Sequence, residues 1–184
     1  DVALGMCRAA RESCVPVLAD AESLPLADAS MDAVVSSLCY QWVAHPQQAF
    51  REVFRVLRPG GTVIIASLGA SSLRELHEAA ELAALPLALL RMPDFHETRM
   101  AMEMAGFDVT YAETMVRTEY YPSVRALLDS MRKIGAGNNF SHKAAQAGVP
   151  KRWAAMQRHY ETLRTHAGIP ASWESHFFML YKRP

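Results

Sequence analysis

Three polar stations in the first forty residues have the types and spacing to hold a polar ligand: Asp1, the dipeptide Asp20-Ala21, and the pair Ser36-Ser37. Asp1 precedes a helix-like stretch. Asp20 closes the apolar run Val15–Ala19, and Ser36-Ser37 closes the run that begins at Asp32. In an open parallel sheet, ligands lie beyond the carboxyl ends of the strands, where these groups would sit. A carboxylate offers two acceptor oxygens, which suits a pair of neighbouring hydroxyls. Two plainer readings stand beside this one. Asp1 can be a frayed terminus, and Asp20 can be a strand-ending residue that caps a turn.

The elements that would position these groups follow from periodicity. Val2–Glu12 reads as a helix with Met6, Ala9 and Ala10 on one stripe, and Val15–Ala19 as a short strand. Leu24-Pro25-Leu26 with Ala27–Ser30 is a loop, and Asp32–Ser37 a strand apolar enough to be covered on both faces. His45-Pro46 opens a helix whose Ala49, Phe50, Val53, Val56 and Leu57 face inward. Pro59 stops it, Gly60-Gly61 makes a flexible turn, and Thr62–Ser67 is the next buried strand. Strand, helix and strand in this order imply a right-handed crossover and a parallel sheet.

The second half reads as more helical. Ser71-Ser72 caps a helix running to about Leu85, with Glu75 at capping-box spacing from Ser72. Asp94 opens a helix that ends at Gly106, and Phe107–Arg117 is a strand. A helix follows Tyr121-Pro122-Ser123 to about Ile134, closed by Gly135, and residues 135–148 form a small-residue loop. Pro150–His166 is a helix and Ser172–Lys182 a last strand.

Composition excludes several classes. Charge balances at 19 basic and 19 acidic residues, so no global field argues for nucleic acid or an anionic membrane. Cys7, Cys14 and Cys39 form no ligand spacing and read as reduced cytoplasmic thiols. The longest apolar run, Leu82–Leu90, is short of the roughly 20 residues that span a bilayer, and no secretory leader is expected. The seven histidines form no HxH or HExxH pattern, so no metal is expected; His77, His159 and His166 should face solvent.

The segments LADAESLPLADASMDAVVSSLCYQW and VLRPGGTVIIASL together resemble the second half of a class I S-adenosylmethionine-dependent methyltransferase. The resemblance implies a Rossmann-like α/β sheet with helices on both faces, incomplete at the amino terminus, in one domain over residues 1–184. A helical lid over residues 71–92 and 122–168 would accompany it. It also implies S-adenosyl-L-methionine as cofactor, with Asp1, Met6, Asp20, Ala21, Ser36 and Ser37 as the binding residues. Asp1 would accept from the ribose hydroxyls and Asp20 from the adenine amino group, while the Ala21 amide reaches a ring nitrogen. Gln41 and Trp42 would lie nearest the reacting groups.

Gln41-Trp42, Ser72-Leu73-Arg74-Glu75-Leu76 and Ser130–Ala136 narrow the resemblance to the malonyl-acyl carrier protein O-methyltransferases of biotin synthesis. That implies methylation of the free malonyl carboxyl, with Arg74 and Arg132 as partners of the carboxylate or of an acidic carrier protein. The catalytic group is unassigned, and the protein is expected to be a cytoplasmic monomer. The GxGxG loop of the family is missing from the chain, so a fragment of a longer protein is expected, doubtful as a catalyst alone. A methyltransferase of another small acceptor and a silent binding domain remain open alternatives.

Overall fold

In the computed structural model, residues 1–86, 92–133 and 149–184 are described. The expected closure at Ile134-Gly135 and the loop 135–148 lie outside them, as do residues 87–90 of the apolar run and Arg91 after it. Two compact units are formed: residues 1–67, 93–114 and 176–184 in one, residues 68–92 and 115–175 in the other. Among the described residues there are six α-helices and four strands: α1 Leu4–Ala10, β1 Met31–Ser37, α2 Pro46–Val56, β2 Leu57–Leu68, α3 Arg74–Leu82, α4 Phe95–Met104, β3 Asp108–Tyr121, α5 Val124–Lys133, α6 Val149–Glu161 and β4 Ile169–Tyr181.

The sheet order is β1-β2-β4-β3. β1 and β2 are parallel, with Val34 opposite Val63 and Ser36 opposite Ile65, as the strand–helix–strand pattern requires. β4 runs antiparallel to β2. Its Lys182 N–H donates to the Gly61 carbonyl, while at the far end the Gly69 N–H donates to the Glu174 carbonyl.

Several expectations are corrected. Pro59-Gly60-Gly61 is no turn before a strand but lies inside β2, where both glycines oppose Lys182 as a bulge. Gly60 has φ +81°, and a Cβ on Gly61 would come within 2.6 Å of the Leu57 Cγ, so one position needs backbone freedom and the other needs space. β1 is not covered on both faces. It is an edge strand, and Val35 is 75% exposed. Val15–Ala19 joins no strand among the described residues: Asp1 N–H donates to the Val17 carbonyl and Ala19 N–H to the Asp1 carbonyl, the Cys7 thiol also donates to the Val17 carbonyl, and these bonds do not extend into a ladder. The Ser72–Glu75 capping box does not form. Ser72 Oγ exchanges hydrogen bonds with the backbone of Glu174, and Glu75 accepts from Ser172, so β4 takes both side chains. α6 stops at Glu161 rather than His166. Asp94 does cap α4, accepting from the His96 and Glu97 amides.

Each unit has its own core. In the first, Phe50, Val53, Leu57, Val63, Ile65, Met102 and Phe178 are sealed from water, and Phe50 stacks on Tyr40 with centroids 4.8 Å apart. In the second, α3 packs on α6 around Leu76, Leu127, Met156 and Tyr160. Tyr160 donates its hydroxyl to the Pro170 carbonyl at 2.8 Å, which satisfies the one polar atom of a buried ring.

A polar clasp on α2 fixes the loop that leads into β1. Glu52 accepts from the Leu24 amide at 2.8 Å, and Arg55 donates to the Leu24 and Leu26 carbonyls and to Asp28. Arg55 also donates to both Glu52 oxygens, so the pair is held in one geometry. The carbonyls of Arg55 and Val56 then receive the Ala29 and Ser30 amides. These bonds satisfy the main chain of a segment whose Pro25 and tight turns preclude a ladder.

Two predictions follow from this architecture. Phe50→Ala removes a fully buried ring and is expected to cost about 3–5 kcal/mol, read by urea unfolding. The Glu52 carboxyl is held below its ordinary 4.5, chiefly by the Arg55 side chain. A depressed acid stabilises fully above that value and loses its contribution as pH falls through the folded-state value. Melting temperature should therefore fall from about pH 4.5 downward, and Glu52→Gln should flatten that acid limb while lowering stability at neutral pH. An acid limb identical to the parent's would show that the clasp does not carry the effect.

Candidate functional site

The three sequence-flagged stations all belong to the first unit. The two backbone bonds linking Asp1 to Val17 and Ala19 have the parallel-ladder pattern, with Asp1 opposite Leu18. Asp1 and Asp20 therefore lie on adjacent extended segments, two residues apart in register. Each aspartate spends its Oδ1 locally: Asp1 accepts from the Ala3 amide at 2.7 Å, and Asp20 from the Glu22 amide at 2.9 Å. For Asp20 this is the turn-capping role anticipated as the plainer reading, and it fixes the carboxylate while leaving the Oδ2 acceptor available. Both side chains are exposed. Ala21 is tucked against the first core, so the backbone after Asp20 is anchored rather than free.

Glu22 ties this loop to the one that follows β1. Its carboxylate accepts from the His45 amide at 2.9 Å and meets the His45 Nδ1 at 2.7 Å. Gln48 Nε2 adds a bond to the Glu22 carbonyl. The Glu22 carboxyl is held below its usual range, first by the His45 amide and then by the ring. The consequence is geometric: the loop after Asp20 and the loop after β1 are held as one rim.

That second loop turns sharply. Leu38 adopts φ +56°, a left-handed conformation that costs a side-chain-bearing residue roughly 1–2 kcal/mol. It swings the chain into a single 3-10 turn over Tyr40–Trp42. Tyr40 and Gln41 are buried, whereas Trp42 is 48% exposed and offers an open indole wall. Burial raises the Tyr40 hydroxyl above its ordinary 10.0, so it stays protonated and takes no part as a base at neutral pH. Ser36 Oγ is buried with no hydrogen-bond partner among the described residues, and Ser37 is exposed at the strand end. A buried unpartnered hydroxyl at a strand's carboxyl end fits a site that receives a polar group from outside the chain.

Met6 lies on α1 and is 61% exposed. Arg74 and Arg132 belong to the second unit and each meets an acid: Arg74 lies 3.5 Å from Glu75, and Arg132 lies 2.6 Å from Asp129. His159 and His166 are exposed as expected, but His77 is partly buried. Among the described residues no cluster of three His, Cys, Asp or Glu could hold a metal ion, and no helix is long and apolar enough to cross a membrane.

Sequence reasoning missed the residues that build the rim: Glu22, His45, Glu52 and Arg55. The i, i+3 spacing of Glu52 and Arg55 on the polar face of α2 was the available signal, since such a pair is pre-oriented for bidentate contact. His176 on β4, fully buried and edge-on to the stacked Phe95 and Phe178 rings, was also passed over.

Residues 1–65 match the family model described as a methyltransferase domain. The chain is 34% identical, over 88% of its length, to the malonyl-[acyl-carrier protein] O-methyltransferase of Alcanivorax borkumensis, covering 54% of that relative. An enzyme of the same description from Gallionella capsiferriformans is also 34% identical over 87% of the chain, of which 55% is covered. The chain thus spans about half the length of these curated relatives. Among solved structures, the YcgJ protein of Bacillus subtilis superposes with a TM-score of 0.63 at 19% identity, over all of this chain and 81% of that one. The parallel β1-α2-β2 unit, the antiparallel β4 beside it and the matched family model agree. The chain is thus similar to methyltransferases twice over: residues 1–65 match a methyltransferase domain, and curated malonyl-[acyl-carrier protein] O-methyltransferases resemble it over most of its length.

Proposed function

We propose that the protein methylates the free carboxyl of a malonyl group carried as a thioester on an acyl carrier protein. What carries the reading is its 34% identity to curated malonyl-[acyl-carrier protein] O-methyltransferases over most of the chain. S-adenosylmethionine supplies an electrophilic methyl group on a sulfonium centre. The chain's own residues bind, orient and shield.

Asp20 Oδ2 would accept from the adenine amino group and Asp1 Oδ2 from the ribose hydroxyls, each with its other oxygen already fixed. The Ala21 amide would donate to a ring nitrogen, Met6 would border the nucleoside, and Ser36 and Ser37 would receive the polar end of the cofactor. Gln41 and Trp42 would line the acceptor side, Trp42 as a wall that excludes water.

A malonyl carboxylate is already ionised at neutral pH, so the reaction needs no strong general base. Catalysis then rests on in-line positioning, which is worth roughly 7–11 kcal/mol when reactants are well oriented. A carboxylate taken out of water needs a cationic or donor partner, and Arg74 and Arg132 are the chain's candidates.

The test is incubation of the protein with S-adenosylmethionine and malonyl-acyl carrier protein, followed by mass spectrometry of the acyl group. A malonyl methyl ester is expected. Methylation confined to quinone or sterol acceptors would contradict the assignment. Asp20→Asn keeps an acceptor for the Glu22 amide and so preserves the turn. It is expected to weaken S-adenosylhomocysteine binding about ten- to a hundredfold by calorimetry, through loss of a charge-assisted bond. Undiminished affinity in a folded variant would remove Asp20 from the site.

A further inference from the structure

The balanced total charge hides a strong segregation. Residues 115–175 hold nine Lys and Arg against four Asp and Glu, so +5 sits in a third of a chain whose total is zero. α6 concentrates it. Lys151 and Arg158 lie seven residues apart on one line of the helix, and Arg152 and His159 lie seven apart on the line beside it. All four are exposed. Met156 and Tyr160, both 0% exposed, occupy the opposite side and anchor the helix in the second core, where it packs on α3. Glu161, the acid of this helix, is engaged by Arg164 at 2.6 Å. Lys151, Arg152 and Arg158 make no ion pair among the described residues. An open hollow of about 610 Å³ lies along the same helix, with Arg158 on its wall.

We infer that the outward face of α6 docks an acidic protein surface, and that its occupant is the carrier bearing the thioester. This rests on the function proposed above, because an acceptor delivered on a protein obliges the enzyme to present a surface for that protein. Clustered unpaired cations on a rigid helix raise encounter rates with an anionic partner and set its orientation. A membrane surface is the poorer occupant: a helix lying in the interface needs large apolar side chains flanking its basic arc, and here those positions are turned into the core. A single-stranded nucleic acid would call for exposed aromatic rings to stack the bases, and the basic arc carries His159 alone.

The experiment compares kcat/KM for malonyl-acyl carrier protein and for malonyl-coenzyme A in the parent and in a Lys151→Glu, Arg152→Glu, Arg158→Glu triple variant. Arg51→Glu, an exposed cation of the first unit, serves as the charge control. With folding verified by circular dichroism, the triple variant is expected to lose about tenfold or more toward the carrier, with a flattened salt dependence, and nothing toward malonyl-coenzyme A. An unchanged carrier rate, an equal fall on both thioesters, or the same fall in Arg51→Glu would overturn the docking surface. So would RNA or anionic-vesicle binding that the triple variant abolishes while carrier kinetics stay intact. Failure of the parent to methylate either thioester would instead overturn the function on which the surface rests.

Discussion

The hydrogen bonds that Glu52 accepts from the Leu24 amide and that Arg55 donates to the Leu24 and Leu26 carbonyls are the constraint on which the candidate site depends. The segment between Asp20 and β1 has no ladder of its own, and its backbone groups must be satisfied by something. α2 does so from one face, while the other buries Ala49, Phe50, Val53 and Val56 in the first core. One helix thus couples burial to loop geometry. Glu22 and His45 extend the same logic by joining the Asp20 loop to the loop after β1. The acids of the rim are presented on backbone fixed from behind.

Much of this was legible in residue order. The β1-α2-β2 unit followed from Asp32–Ser37, the apolar stripe of α2 and the strand after Gly61, since a helix crossover between short apolar runs leaves one pairing available. Asp94 at the start of α4 was equally readable, because a carboxylate ahead of an apolar-periodic run has a definite local use. What failed were local signals overridden at a distance. Ser72 and Glu75 have capping-box spacing, yet Ser172 and Glu174, about a hundred residues on, offer a buried set of partners that wins. Pro59-Gly60-Gly61 carries turn residues, but the carboxyl-terminal strand pairs across it and makes a bulge. Val15–Ala19 has strand composition, yet among the described residues its main chain is bonded to Asp1 and the Cys7 thiol without extending into a ladder.

The chemistry was legible unevenly. Residue types after short apolar runs singled out Asp1, Asp20 and Ser36-Ser37 as candidates, because topology sets where a ligand lies in such a sheet, and of these only Ser36-Ser37 closes a strand. The clasp behind them was invisible, since Glu52 and Arg55 look like any solvated helix pair until the loop is folded onto them. Charge told a similar story at larger scale: a zero total says nothing about where the charges lie, and the exposed arc of α6 emerges once the helix's buried side is known.

The central claim is that the carboxylate-bearing loop at Asp20-Ala21 meets the nucleoside end of the cofactor. Backbone amide resonances of isotope-labelled protein, followed during titration with S-adenosylhomocysteine, test it most directly. The account predicts saturable shifts at Asp20, Ala21 and Glu22, carried across to His45 through its hydrogen bonds to the Glu22 carboxylate. Saturable binding that moves amides elsewhere and leaves these four in place would contradict it.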